Sequence, residues 1–277
     1  MELALMPFQF SFMNQAFIIM SIISLPTSLL SCYLVLKGWS LMGDAISHAV
    51  LPGVILAYLL NIPLVFGAFS AGMVCALATG FLSDYSRVKR DTIMGVVFSG
   101  MFALGIVLYT KISTDIHLDT ILFGNMLGIS IEDLWLTGLI SLAVSLIIMF
   151  KRYDLLLHSF DPIQAQAVGI PVKILHYWLL ALISLTIVAT LSSVGIILSV
   201  GLLIAPGAIS FLITKRFEIM LIIGFLITFA SGILGVYISF FLDSAPAPTI
   251  ILILTLFFII AFINSTKKAS KGKIKIS

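Results

Sequence analysis

Charge is what this 277-residue sequence has least of. Its 15 Lys and Arg and 12 Asp and Glu amount to 10% of the chain, against 61% hydrophobic residues and a mean hydropathy of +1.22. So few charges cannot cover a water-soluble domain, which excludes a soluble enzyme and predicts an all-α, polytopic bundle of membrane helices. Cysteine is scarce as well. Cys32 and Cys75 both fall in apolar runs without metal or redox spacing, so they read as small buried residues. No Gly-rich phosphate loop with a lysine occurs, so the chain is not expected to bind or hydrolyse ATP itself. The 11 methionines are scattered and form no copper-like cluster. No basic stretch precedes the first apolar run, which is therefore expected to stay as a helix and not to be cleaved as a signal peptide.

What is there is a succession of apolar runs, at about 14–36, 44–60, 63–82, 92–110, 133–150, 174–191, 194–213, 218–241 and 247–263. Run 44–60 is shorter than the ~20 residues an upright span needs, so a short or partly re-entrant helix competes there with a full span. The expectation is eight or nine helices forming one transmembrane domain over 1–277, with a cytoplasmic loop at 151–173 and a basic cytoplasmic tail at 264–277. If nine runs cross and the tail is inside, the N-terminus is outside. Alternation then places Lys37, Arg87, Lys89, Arg90, Lys151, Arg152, Lys173, Lys215, Arg216 and the five tail lysines inside, leaving Lys111 outside. That satisfies the positive-inside rule and explains the net charge of +3 without a nucleic-acid partner; the tail reads as a solvated end near lipid headgroups.

The cytoplasmic loop carries a local signature. Asp161 before Pro162 has the form of an N-cap with proline at the first helical position, and Gly169 before Ile170 and Pro171 has the form of a stop. One short helix of about two turns is expected between them, with Ile163, Ala167 and Ile170 near one face. A helix that small either lies on its own bundle or docks into a partner's cleft.

Asp44 is the one acid that begins an otherwise uncharged apolar helix, with His48 four residues on and Pro52 continuing the face. An aspartate deep in a bilayer costs at least ~2.5 kcal/mol, so it should face a polar cavity or a partner. Three readings compete: a helix N-cap with a hydrogen-bonded neighbour, a mixed oxygen/nitrogen metal site, or a proton relay of a secondary transporter. On the outer side, Asp115, His117 and Asp119 alternate, and Asp243 ends another run. With Glu2, Glu132 and Asp133 these acids could attract a cation, or merely form a solvated loop. His158 and His176 fall on the inner side and read as structural. In "GLLIAPGA", Gly201 and Gly207 favour close helix packing and Pro206 a kink, which makes this helix a second candidate wall of a pathway.

Five segments together resemble a known family: "GDAISHAVLPGV" at 43–54, "HLDTILFGNMLGIS" at 117–130, "DPIQAQAVGI" at 161–170, "VGIILSVGLLIAPGA" at 194–208 and "SAPAPTIILI" at 244–253. In this order they are similar to the ABC-3 permeases of bacterial ABC importers for manganese, zinc and chelated iron, nearest to the manganese/iron branch. The resemblance implies an ABC importer permease in the bacterial cytoplasmic (inner) membrane, working as a homodimer or paired with a related permease. It implies two copies of a cytoplasmic ATP-binding subunit, with ATP held only there, and an extracytoplasmic metal-binding protein. No permanent cofactor is implied; the metal is cargo. Asp161, Pro162, Ala165, Ala167 and Gly169 match the segment that couples to the ATPase. Asp44 and His48 match the acidic and imidazole positions of the family's "GD-x-x-SHA" signature and are implied as transient ligands. His117 and Asp119 match the start of the segment containing "LFG"; the resemblance assigns them no ligand role, and with Asp243 they are further candidate metal residues. Only four histidines occur, where zinc-specific members have histidine-rich stretches, which favours manganese or iron. The alternatives are a proton-coupled secondary transporter, a vitamin or siderophore permease, and a non-transporting scaffold.

Overall fold

The computed structural model describes residues 5–111 and 124–274. A 3-10 turn (Met6–Gln9) leads into α1 (Ser11–Leu36), followed by α2 (Met42–Leu59), α3 (Leu64–Tyr85), α4 (Arg90–Lys111), α5 (Ile131–Phe150), α6 (Arg152–Phe160), α7 (Pro162–Ala167), α8 (Val172–Ile213), α9 (Phe217–Leu242) and α10 (Pro246–Ile274). Among the described residues there is no strand, and nine stretches are long and apolar enough to cross a membrane. The short run becomes α2, a continuous helix whose 18 residues rise ~27 Å, slightly under the ~30 Å of a hydrocarbon core and within the range of membrane helices.

Two of the nine stretches lie inside α8, as Val172–Leu191 and Ser193–Ile213. They are parted at Gly195, where φ 77 and ψ 173 fall in a region only glycine enters readily. Thr190 Oγ1 and Ser199 Oγ are 2.7 Å apart, whereas nine residues of straight helix would separate them by ~13.5 Å. The chain therefore turns back on itself at Gly195, and its two halves run as separate spans.

Packing falls into two apolar clusters that share α1. One joins the end of α1 to α2–α6 and mainly the first half of α8; the other joins the start of α1 mainly to the second half of α8, α9 and α10. Lipid gives helices no hydrophobic reason to associate, so contact rests on close approach of backbones and on hydroxyl hydrogen bonds. Gly53 of α2 and Gly67 of α3 show this directly: a Cβ on Gly53 would lie 2.1 Å from the Gly67 carbonyl oxygen, and one on Gly67 2.2 Å from that of Gly53. Likewise the Gly207 N–H donates to Ser31 Oγ of α1 at 2.8 Å.

The loop at 151–173 holds two helices, not the single one expected. The additional helix, α6, turns Leu155 and His158 inward, three residues apart on one face. In α7, Asp161 Oδ1 accepts from the Ile163 and Gln164 N–H groups at 3.0 and 2.9 Å, and Pro162 takes the first turn. The helix stops as expected at Gly169, with φ 86; Ile170 N–H donates to the Ala165 carbonyl and Gly169 N–H to that of Gln166, a Schellman arrangement. The face assignment needs correcting. Ala165 is fully buried and Ile170 packs on the core, while Ile163, at 82% exposure, and Ala167 point away from it. Gly169 in the left-handed region turns the chain sharply, so Ile170 leaves the face it would hold in a continuous helix.

Candidate metal site on the second helix

The loop from Lys37 to Leu41 brings the chain back into the bundle, and α2 starts with Leu41 as N-cap, without a side-chain cap. Asp44 is thus in the first turn of α2 but does not cap it, and the helix-cap reading gives no account of it. Its carboxylate turns along the helix instead: Asp44 Oδ1 lies 3.3 Å from His48 Nε2. The two side chains are 30% and 27% exposed, so the pair borders open space from within a helix that is otherwise mostly buried.

The imidazole is held from the other side by α4. Its ring stacks on Phe98 with centroids 5.6 Å apart and meets Phe102 edge-on at 5.1 Å. His48 Nδ1 is buried and has no hydrogen-bond partner. The ring is therefore fixed by shape, with Nε2 directed at the carboxylate. One turn further, Pro52 has no N–H to offer, so the His48 carbonyl lacks its usual helical donor. A carboxylate oxygen and an imidazole nitrogen thus meet on one turn of α2, at a residue whose carbonyl lacks its usual helical donor.

Chemically, this is a chelate of hard and borderline donors. Donors 3.3 Å apart, each ~2.1 Å from a shared ion, subtend about 100° at it, close to both octahedral and tetrahedral angles. Among the described residues no cluster of three or more His, Cys, Asp or Glu side chains that could hold a metal exists, so the pair stands there without a third such side chain.

The other expected site residues are spread out. Pro52 stays with the pair: a Cβ on Gly105 of α4 would lie 3.0 Å from Pro52 Cδ, so Pro52 faces the helix that holds His48. Gly201 faces Ile251 of α10, Gly207 faces Ser31 of α1, and Pro206 is buried. Asp243 is the exposed, left-handed C-cap of α9. His117 and Asp119 lie outside the described residues. Phe98 and Phe102 were not legible as site residues. Nothing in an aromatic of an apolar helix signals a histidine some 50 positions earlier.

A family model for the ABC 3 transport family matches residues 9–265. This chain belongs to that family. It is 52% identical over 267 residues to the chelated iron transport system membrane protein YfeD of Yersinia pestis, covering 96% of this chain and 90% of that one. It is 45% identical over 261 residues to the manganese transport system membrane protein MntB of Synechocystis, covering 94% and 85%. Its fold matches PsaBC from Streptococcus pneumoniae, solved in complex with Fab, with a TM-score of 0.83 and 35% identity over 91% of both chains.

Proposed function

We propose that this ABC 3 family chain is the membrane permease of an importer that carries a divalent transition-metal ion, manganese or iron in preference to zinc. One observation carries the reading. Asp44 and His48 hold two metal donors 3.3 Å apart on a membrane helix, in an arrangement that serves no cap. The names of the relatives, iron and manganese transport membrane proteins, support the choice of cargo.

The positive-inside rule puts the ends bearing Lys37, Lys151, Lys173, Lys215 and the lysine tail in the cytoplasm, in the inner membrane, with the N-terminus outside. Asp44 then begins α2 on its cytoplasmic side. α7 lies on the same face, presenting Ile163, Ala167 and Val168 outward on a capped, rigid turn. This is the knob by which a separate ATP-binding subunit, in two copies, grips the permease. ATP is hydrolysed there and not on this chain. An extracytoplasmic binding protein delivers the ion to the opposite face. Among the described residues the pair has no third His, Cys, Asp or Glu side chain beside it, and a second permease copy would bring a second pair. Weak, shared ligation suits a pathway, since the ion must leave as well as enter. Pro52 forms part of the wall on the α4 side; Gly201, Pro206 and Gly207 set the packing of the helix behind it.

The test is uptake of radiolabelled manganese or iron by cells carrying Asp44→Ala or His48→Ala, with membrane abundance measured in parallel. Both variants are expected to assemble and to lose uptake; normal uptake in both would remove the ligand role. Uptake that persists without the ATP-binding subunit would favour a proton-coupled carrier instead. A vitamin or siderophore permease has no need of this pair, so transport of such a chelate unaffected by the substitutions would favour that class.

A further inference from the structure

Helix α4 comes closest to α2 where it carries no side chain. A Cβ added to Gly105 would stand 2.9 Å from Leu51 Cγ and 3.0 Å from Pro52 Cδ. With Gly105 set against Pro52, the preceding turns of α4 fall against the preceding turn of α2. Phe98 and Phe102, four residues apart and so on one face of α4, meet His48 there. One ring lies along the imidazole at an interplanar angle of 27°, and the other meets it edge-on at 79°. Both phenylalanines are half-buried and pack on the core cluster to which α2 belongs. The plane of the imidazole is thereby set, because a partial turn of the ring strikes one neighbour or the other.

An imidazole that holds a resident metal nearly always donates its other N–H to a carboxylate, a carbonyl or water. That bond orients the ring and also makes it a stronger ligand. His48 Nδ1 is buried and has no hydrogen-bond partner among the described residues. Orientation therefore comes from the two phenyl rings, which fix the imidazole without adding to its basicity. We propose that Phe98 and Phe102 are positioning residues for the transported ion: by shape alone they hold His48 with Nε2 toward Asp44, in place of the hydrogen bond a resident site would use. The ligand is then correctly aimed but not strengthened, which suits a site that must release its ion as well as accept it. This rests on His48 being a ligand, as proposed above. The competing account is that two rings on a membrane helix only fill space beside the core.

The full-length chain, purified in detergent with the ATP-binding subunit, is titrated with manganese(II). Affinity is read from the electron paramagnetic resonance signal of the free ion, and nitrogen coupling from the electron spin-echo modulation of the bound ion. Thermal unfolding is measured alongside. The native chain is expected to show nitrogen coupling that His48→Gln abolishes. Phe98→Leu and Phe102→Leu keep an apolar side chain but lose the ring. Each should weaken manganese binding roughly tenfold and reduce the nitrogen coupling, at an unfolding temperature close to that of the native chain. Phe98→Tyr, which keeps the ring, should recover both affinity and coupling. Leucine variants that bind and couple as the native chain does overturn the proposal and leave His48 a ligand. So do leucine variants that lose affinity only together with a large fall in unfolding temperature, since the rings are then packing residues. Coupling that is absent from the native chain, or that survives His48→Gln, removes the ligand reading itself and the positioning role with it.

Discussion

Gly124 lies directly against Gly195: a Cβ added to Gly124 would stand 2.4 Å from the Gly195 backbone nitrogen and 2.4 Å from the Val194 carbonyl carbon. Both glycines have positive φ, 72 and 77. The reversal inside α8 is thus wedged by the glycine of the "LFG" sequence, arriving from a distant part of the chain. Gly124→Ala or Gly195→Ala should each destabilise the chain by about 1–3 kcal/mol, because each adds strain at a position only glycine fits. Thermal unfolding in detergent measures it. Gly100→Ala on α4, where nothing lies within 4 Å of the new Cβ, is the control and should be neutral or mildly stabilising. Equal effects at all three positions would show that the wedge is not what matters.

Asp161 holds α7 through two backbone N–H groups, so Asp161→Ala should cost that helix about 1 kcal/mol, while Asp161→Asn, still a good cap, should cost little. If α7 is the grip of the ATP-binding subunit, the alanine variant should also reduce metal-stimulated ATPase activity of the assembled transporter. The two variants behaving alike would separate the carboxylate from the cap.

Pro52→Ala restores an N–H to the helix and satisfies the His48 carbonyl. Unfolding temperature should rise and, if α2 carries the ion's ligands as proposed, metal uptake should fall because the helix stiffens. An increase in stability with unchanged uptake would leave Pro52 a packing residue only.

Burial, with Lys37 and His176 nearby, lowers the pKa of His158 from 6.5 to about 4. The folded chain therefore resists the proton that the unfolded chain accepts. Its stability at neutral pH is lost as pH falls from 6.5 towards 4. Unfolding temperatures measured from about pH 7.5 down to about pH 5 should decline more steeply for the native chain than for His158→Asn. Parallel declines would assign the loss to other groups.

The spans were legible because each is a long apolar run, and positive charge between them gave a consistent alternation. Where a single residue decided the backbone, the sequence was harder to read. Within α8 only Gly195 departs from helical geometry, and the helix continues on either side of it. α6 was missed because nine residues with two inward side chains give too little periodicity beside charged neighbours. Asp44 and His48 stood out through the cost of charge in lipid, and their spacing placed them together. The aromatic clamp on His48 depends on how α2 crosses α4, which no local pattern encodes.

The backbone contact between Gly53 and Gly67 has a mechanical consequence. Two helices whose carbonyls meet without an intervening side chain have no room to slide or roll, so α2 and α3 must move as one lever. α4, of which only 17% is buried, touches α2 through Phe98, Phe102 and the glycine gap at Gly105. It is the lighter wall. If His48 meets the ion as proposed, its exposure should follow how far α4 swings from that lever, and not any bending of α2.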